Sequence, residues 1–177
     1  KPSAYRMDWK IQKMIERTLV LIKPDGVERA LVGECISRFE KRGLKLIGMK
    51  MVWTDKDHAM KHYTDDITKR RGEKVREKLL EFITSGPVVA MAIEGVNAIE
   101  NIRKLVGATE PKSALPGTIR GDYTHVSYSY ADDKQIAVKN LIHASSDKTD
   151  ADHELNLWFN DNELHSYDMV HDKHIKE

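Results

Sequence analysis

The stretch Thr18-Leu19-Val20-Leu21-Ile22-Lys23-Pro24-Asp25-Gly26 decides how the chain reads. Its first five residues are apolar or β-branched and uncharged, which is the composition of a short buried strand. Lys23-Pro24-Asp25-Gly26 is turn chemistry, so the strand runs directly into a loop that opens on a lysine.

Working outward, a helix is expected over 29–42, where Leu31, Val32, Cys35, Ile36 and Phe39 recur at helical spacing and Gly43 suits the position just past the end. Residues 44–53 alternate as a second strand, and Thr54 or Asp55 can cap a short helix reaching Tyr63. A third helix is expected over 73–84, broken by Gly86-Pro87, before a buried strand over 88–93. Residues 96–106 read as a helix, 108–123 as a Gly/Pro/Thr-rich loop, 140–143 as a short strand and 151–159 as a helix, with a polar tail after Phe159. Between the loop and the short strand, Val126, Tyr128 and Tyr130 alternate like an exposed ribbon. Strands and helices alternate along the chain, so the expectation is an α/β sandwich with no linker marking a second domain.

Bulk properties narrow the function. The 29 basic and 28 acidic residues nearly cancel, which argues against binding nucleic acid through phosphates. An RNA-binding sheet would also want aromatic residues on its strands, and these strands carry almost none. The single cysteine, Cys35, cannot form an internal disulfide or a thiolate zinc cluster and fits a reducing compartment. No apolar run reaches the length of about 20 residues that spans a bilayer. Residues 1–13 lack the pattern of a signal peptide, so the protein is expected in the cytoplasm. Residues 1–15 read as an extension or arm, and Met14 is a candidate natural start.

There is no Gly-rich P-loop, no dinucleotide fingerprint and no HExxH zinc motif. His58 and His62, four apart, would share a helix face. Without a carboxylate or thiol at useful spacing they read as solvated helix residues and not as metal ligands. Polar and cationic residues collect at element ends: Lys23, Arg103, Thr109, Thr118, Arg120, Asp122, Asn140, His143 and Glu154. His143 leaves a buried strand into Ala-Ser-Ser. It is either a core-edge histidine bonded to backbone or an imidazole nucleophile oriented by a carboxylate.

Three stretches together resemble the nucleoside diphosphate kinase family: 16–27 (Glu-Arg-Thr-Leu-Val-Leu-Ile-Lys-Pro-Asp-Gly-Val), 116–122 (Pro-Gly-Thr-Ile-Arg-Gly-Asp) and 140–145 (Asn-Leu-Ile-His-Ala-Ser). Residues 85–91 (Ser-Gly-Pro-Val-Val-Ala-Met) and 157–159 (Leu-Trp-Phe) also match, in order. The tail after Phe159 is more similar to archaeal members. The resemblance implies a ferredoxin-like fold of the α+β kind, a four-stranded antiparallel sheet covered by helices, over 16–160, with a tail over 161–177. It implies a ping-pong reaction in which a nucleoside triphosphate, typically ATP, phosphorylates a histidine that then passes the group to a nucleoside diphosphate. By motif, His143 is the nucleophile, Glu154 the orienting carboxylate, Ser145 its support, and Tyr63 the tyrosine beside the phosphorylated nitrogen. Lys23, Arg103, Thr109 and Arg120 match phosphate ligands. Asn140, together with Lys23, matches a ribose contact. Mg2+ is expected, held mainly through the nucleotide phosphates. A homo-oligomer, hexamer or tetramer, is implied, with Pro111 in a loop near subunit contacts. Retention of Lys23, Arg120, His143 and Glu154 together argues against the alternative, a non-catalytic nucleotide-binding regulatory relative.

The chain departs from the family pattern in places. No aromatic residue lies between Tyr63 and Phe82, where a base-stacking phenylalanine is usual, and 64–75 is longer than the norm. Val75 is the candidate apolar wall, and Arg70 and Arg71 are both candidates for the phosphate arginine. Ala144 and Ser146 stand where glycine and aspartate are usual. Segment 123–139 is also long, and reads either as a cover over the nucleotide or as an extended subunit contact.

Overall fold

The structure, a computed structural model, describes residues 13–175. Four strands, β1 (Ile15–Ile22), β2 (Lys45–Val52), β3 (Val88–Val96) and β4 (Ile142–Ala144), form one sheet in the order β2-β3-β1-β4. Every neighbour is antiparallel, with Leu21 opposite both Ala90 and His143. This is the four-stranded α+β sheet that the family resemblance implies. Helices lie on both faces, which explains the unbroken apolar run of β1. Val20 and Ile22 join Phe39, Ile102 and Ile142 on one face, while Leu19 and Leu21 join Ile83, Leu155 and Trp158 on the other. At roughly 25 cal/mol per Å2, a fully buried leucine or isoleucine stabilises by about 1.5–3 kcal/mol. The two central strands are therefore the anchor of the fold.

Several elements differ from the expectation. The helix expected over 29–42 is α2 (Val32–Lys41), and the turn expected at 23–26 instead opens a separate short helix, α1 (Pro24–Glu28), with Ala30 at φ 56° between the two. Pro24 starts α1 because its missing N–H would be unbonded there in any case. Helix α3 (Lys56–His62) is capped by Asp55, which accepts from the His58 amide at 2.8 Å. Helix α4 (Asp65–Arg71) occupies the long segment before α5 (Glu73–Ile83) and buries no residue of its own. Helix α6 (Ala98–Val106) follows β3 after left-handed Asn97. Loop 108–123 contains a 3-10 turn (Pro111–Ser113) and α7 (Ile119–Tyr123).

The expected ribbon around Tyr128 is instead helix α8 (Tyr128–Asp133). Ser127 caps it by accepting from the Tyr130 amide at 3.2 Å, and Ala131 is fully buried beneath it. Helix α9 (Lys148–Trp158) begins at an Asp147 cap, and α10 (Asp172–Ile175) is the last element described. The tail packs along edge strand β2. The His165 amide donates to Ile47 O at 2.7 Å, and Lys50 pairs with Glu163 at 2.7 Å.

Candidate active site

The site forms where β4 leaves the end of β1. Between Asn140 and Ile142 the chain turns through Leu141, a buried non-glycine residue at φ 67°. Such a conformation costs about 1–3 kcal/mol and persists only when its surroundings fix it. Here the Lys23 amide donates to Leu141 O at 2.8 Å and the Leu141 amide donates to Asp25 at 3.0 Å. Gly26 lets these strands approach, since a methyl group there would sit 2.7 Å from Ile22 and 3.0 Å from Leu141 O. The turn presents Asn140 inward: its Oδ1 accepts from Lys23 Nζ at 2.7 Å and its Nδ2 donates to Thr109 O at 2.8 Å.

Strand alternation then aims His143 at the face carrying α3 and α9, while Ile142 and Ala144 face the opposite core. His143 Nε2 lies 2.9 Å from both oxygens of Glu154. Glu154 is on the buried stripe of α9 with Ala151, Leu155 and Trp158, and also accepts from Ser145 Oγ at 2.6 Å. An ionised carboxylate only accepts, so this arrangement keeps the proton on Nε2 and a lone pair on Nδ1. Among the described residues Nδ1 has no hydrogen-bond partner, and His143 lines the cleft.

Cations surround the ring. Lys23 is buried, and burial with Arg120 nearby, opposed by Asp25, lowers its pKa to about 8. Burial raises the Asp25 pKa, against the pull of Lys23. Arg120 donates to the carbonyls of Asn140 (3.1 Å), Gly107 (3.0 Å) and Ile142, leaving two of its five N–H groups for another acceptor. Burial lowers its pKa to about 10, so it stays charged. Thr118 caps the helix carrying Arg120, and Asp122 ties that loop to the Gly117 amide at 2.7 Å and to Arg38 at 2.7 Å. Arg103 and Thr109 are exposed and line the same cleft.

The cleft continues away from His143 as a cavity of about 840 Å3. Val75 and Leu79 line one wall; Tyr128, Ile136 and Val138, from the long 123–139 segment, line the other. Arg71 stacks on the Tyr128 ring at 4.4 Å, spanning the two walls. Arg70 pairs with Asp66 at 2.7 Å and lines the cleft on both sides of His143. The Tyr63 hydroxyl is buried in the same region without a hydrogen-bond partner, and burial raises its pKa.

The structure thus brings Lys23, Tyr63, Arg103, Thr109, Arg120, Asn140, His143, Ser145 and Glu154 around one cleft, with Arg70, Arg71 and Val75 at its edge. One expectation is corrected. His62 is not a solvated helix residue: its side chain is 1% exposed, and its ring meets His143 edge-on at 4.7 Å. Burial, with His143 and Lys23 nearby, pushes its pKa well below the usual range. His58 likewise packs its ring on Trp158 at 4.5 Å. Helical spacing alone could not reveal this, because α9 supplies the cover.

An antiparallel α+β sheet with an oriented imidazole at a cation-lined, nucleotide-sized cleft defines a nucleotide phosphotransferase. Comparison with known proteins agrees. The family model for nucleoside diphosphate kinase matches residues 16–164. A nucleoside diphosphate kinase of Borreliella burgdorferi is 48% identical over 155 residues, covering 87% of this chain and 93% of that protein. One from Pyrococcus furiosus is 48% identical over 163 residues, covering 92% and 94%. Among solved structures, the Borrelia burgdorferi enzyme, a transition-state mimic with bound vanadate and ADP, superposes with a TM-score of 0.90 at 45% identity, covering 92% of this chain and 98% of that one. A halophilic Halobacterium salinarum nucleoside diphosphate kinase in complex with CDP gives 0.77 at 39% identity, covering 89% and 96%. The chain belongs to the nucleoside diphosphate kinase family.

Proposed function

We propose that this kinase carries the phosphoryl group covalently on Nδ1 of His143. The Nδ1 lone pair attacks the terminal phosphorus of a nucleoside triphosphate, the bond to the bridging oxygen breaks, and the diphosphate leaves with those electrons. A second diphosphate reverses the step. The observation that carries this reading is the Ser145–Glu154–His143 chain, which holds the ring by Nε2 and leaves Nδ1 free beside the cations. Glu154 offsets the positive charge that grows on the ring, and phosphoryl transfer otherwise needs positioning and charge stabilisation. Lys23, Arg103, Arg120 and Thr109 take the phosphates, and Asn140 with Lys23 takes the ribose. Tyr63 brings its unpaired hydroxyl to the transferring group. Arg70 is the phosphate arginine of this reading, because Arg71 is engaged by Tyr128. Val75 and Val138 form apolar walls on either side of the base, a mode tolerant of base identity.

Mg2+ fits as the nucleotide's own counter-ion. Among the described residues the one group of three side chains able to hold a metal is His62, His143 and Glu154, and its two nitrogens do not suit magnesium. When bound on the phosphates, the ion offsets their charge. The kinase assembles as a hexamer or tetramer; Met49, Met51 and Trp53 stay exposed along edge strand β2, as an assembly surface would be. No helix among the described residues is long and apolar enough to cross a membrane. Cys35, buried and unpaired, suits a cytoplasmic setting.

The test is incubation with γ-labelled ATP and Mg2+ before peptide mapping. Label on His143 that chases onto added GDP is expected. Label elsewhere, or full exchange activity in His143→Asn, would overturn the assignment.

A further inference from the structure

The buried face of the histidine carries one residue, His62, to which phosphoryl transfer gives no role. His62 turns Nδ1 toward Glu154 Oε1 at 3.7 Å, and His143 Nε2 lies 2.9 Å from the same oxygen. One donor atom from each of the three residues falls within 4.8 Å of the others. A tetrahedral zinc ion with bonds of about 2.0–2.1 Å separates its ligands by roughly 3.3 Å, so the observed spread brackets the required geometry. Two imidazole nitrogens and one carboxylate, with a fourth position left for water, are a common zinc ligand set.

Two details favour a metal over simple packing. Trp158 Nε1 donates to His62 Nδ1, and an indole N–H only donates, so that nitrogen is unprotonated and carries the lone pair a cation needs. The contact is long, 3.4 Å, and a cation would displace little by taking its place. The other nitrogen of His62, Nε2, is buried without a hydrogen-bond partner, so among the described residues the long Trp158 contact is the one hydrogen bond holding a second histidine here. Ser145 holds Glu154 by Oε2 at 2.6 Å, which leaves Oε1 for an ion. A cavity of about 670 Å3 is lined by all three residues and offers entry and room for a water ligand.

We propose that His62, His143 and Glu154 form a binding site for a zinc-type divalent cation, and that its occupancy switches off phosphoryl carriage. The ion takes the electron pair of His143 Nε2, and the proton that sat there moves through solvent to Nδ1. The ring remains neutral, but Nδ1 is now N–H and has no lone pair for phosphorus. Nitrogen donors rank zinc far above magnesium, so the two metals would act at different places with opposite effects. The switch rests on the reading of His143 as the carrier, whereas the binding site does not.

The experiment therefore measures the two separately. Nucleotide-free, magnesium-free protein is titrated with Co2+, whose visible absorption intensifies in tetrahedral nitrogen and oxygen coordination. One equivalent should bind, be displaced by Zn2+, and weaken in both His62→Phe and His143→Asn by more than the roughly 10- to 100-fold that loss of a supporting residue costs. His58→Gln and His153→Gln should titrate like the parent. An unchanged spectrum in both His62→Phe and His143→Asn, or no tetrahedral spectrum in the parent, overturns the site. Labelling from Mg·ATP is then repeated at saturating Zn2+. A loss of labelled His143, restored by a zinc-selective chelator, is expected in the parent. Full labelling with the metal bound overturns the switch. Absence of label on His143 without zinc instead overturns the carrier assignment.

Discussion

Lys23 gives the sharpest quantitative test of the site, because its charge depends on what occupies the cleft. Burial and Arg120 hold its pKa near 8, against an ordinary value of 10.5. A nucleoside diphosphate brings several negative charges beside it and should return the pKa toward its ordinary range. Binding must then take up protons wherever the free enzyme has lost them. With a pKa of about 8, the uptake is about 0.1 proton per nucleotide at pH 7, about 0.5 at pH 8 and about 0.9 at pH 9. Calorimetric titration with Mg·ADP in buffers of different ionisation enthalpy reads this number directly. At these pH values the nucleotide phosphates are already ionised and add little.

The sign extends to stability. Between pH 8 and 10.5 the unfolded chain keeps the Lys23 proton that the folded, empty enzyme has lost, so this residue makes stability rise with pH. The penalty it imposes at neutral pH is about 3 kcal/mol and vanishes above the ordinary pKa. Lys23→Met should abolish the proton uptake and flatten that slope relative to the parent. Uptake near zero at pH 9, or uptake unchanged in Lys23→Met, would refute the placement of this lysine against the phosphates.

Other perturbations separate the roles around the ring. His143→Ala should reduce exchange to background while ADP affinity, measured by calorimetry, changes little, since the cations remain. Glu154→Gln keeps the shape but not the charge, and should slow single-turnover phosphorylation on the order of 10²-fold with little effect on nucleotide binding. Gly107→Ala would strain a backbone at φ 89° and push a methyl group into Thr118; a loss of about 1–3 kcal/mol in denaturant unfolding and a lower kcat/KM are expected, because Arg120 is tethered to Gly107 O. Ser127→Ala removes the cap of α8 and should weaken that helix by about 1 kcal/mol, seen as faster amide exchange over 128–133 and a raised KM for nucleotide.

How much of the fold the sequence discloses depends on where each interaction is made. Leu19 to Ile22 and 88–93 read correctly because a strand buried on both faces must be apolar at every position, a signal carried within the segment. The Tyr128 segment misled because period-two alternation over three residues does not separate ribbon from helix. The deciding partners, Glu110 accepting from the Tyr128 amide at 2.9 Å and the Ser127 cap, lie outside that pattern. Helix α4 is silent in the sequence for a related reason: it buries nothing, so it has no apolar stripe to read.

The same reasoning sorts the site. Lys23 stood out because it ends a buried strand, yet its partner Asn140 lies 117 residues away. His62 escaped because its neighbour at helical spacing, His58, is not the partner that matters. The groups that define it are Trp158, Glu154 and His143, all supplied from beyond residue 140. A histidine whose deciding partners come from distant chain reads as an ordinary solvated residue until the fold closes around it. Burial without a strong hydrogen bond is then the physical signal that it has a task. By that criterion His62, pressed edge-on against the ring of His143, is the residue whose replacement should tell most about how the kinase keeps that ring available.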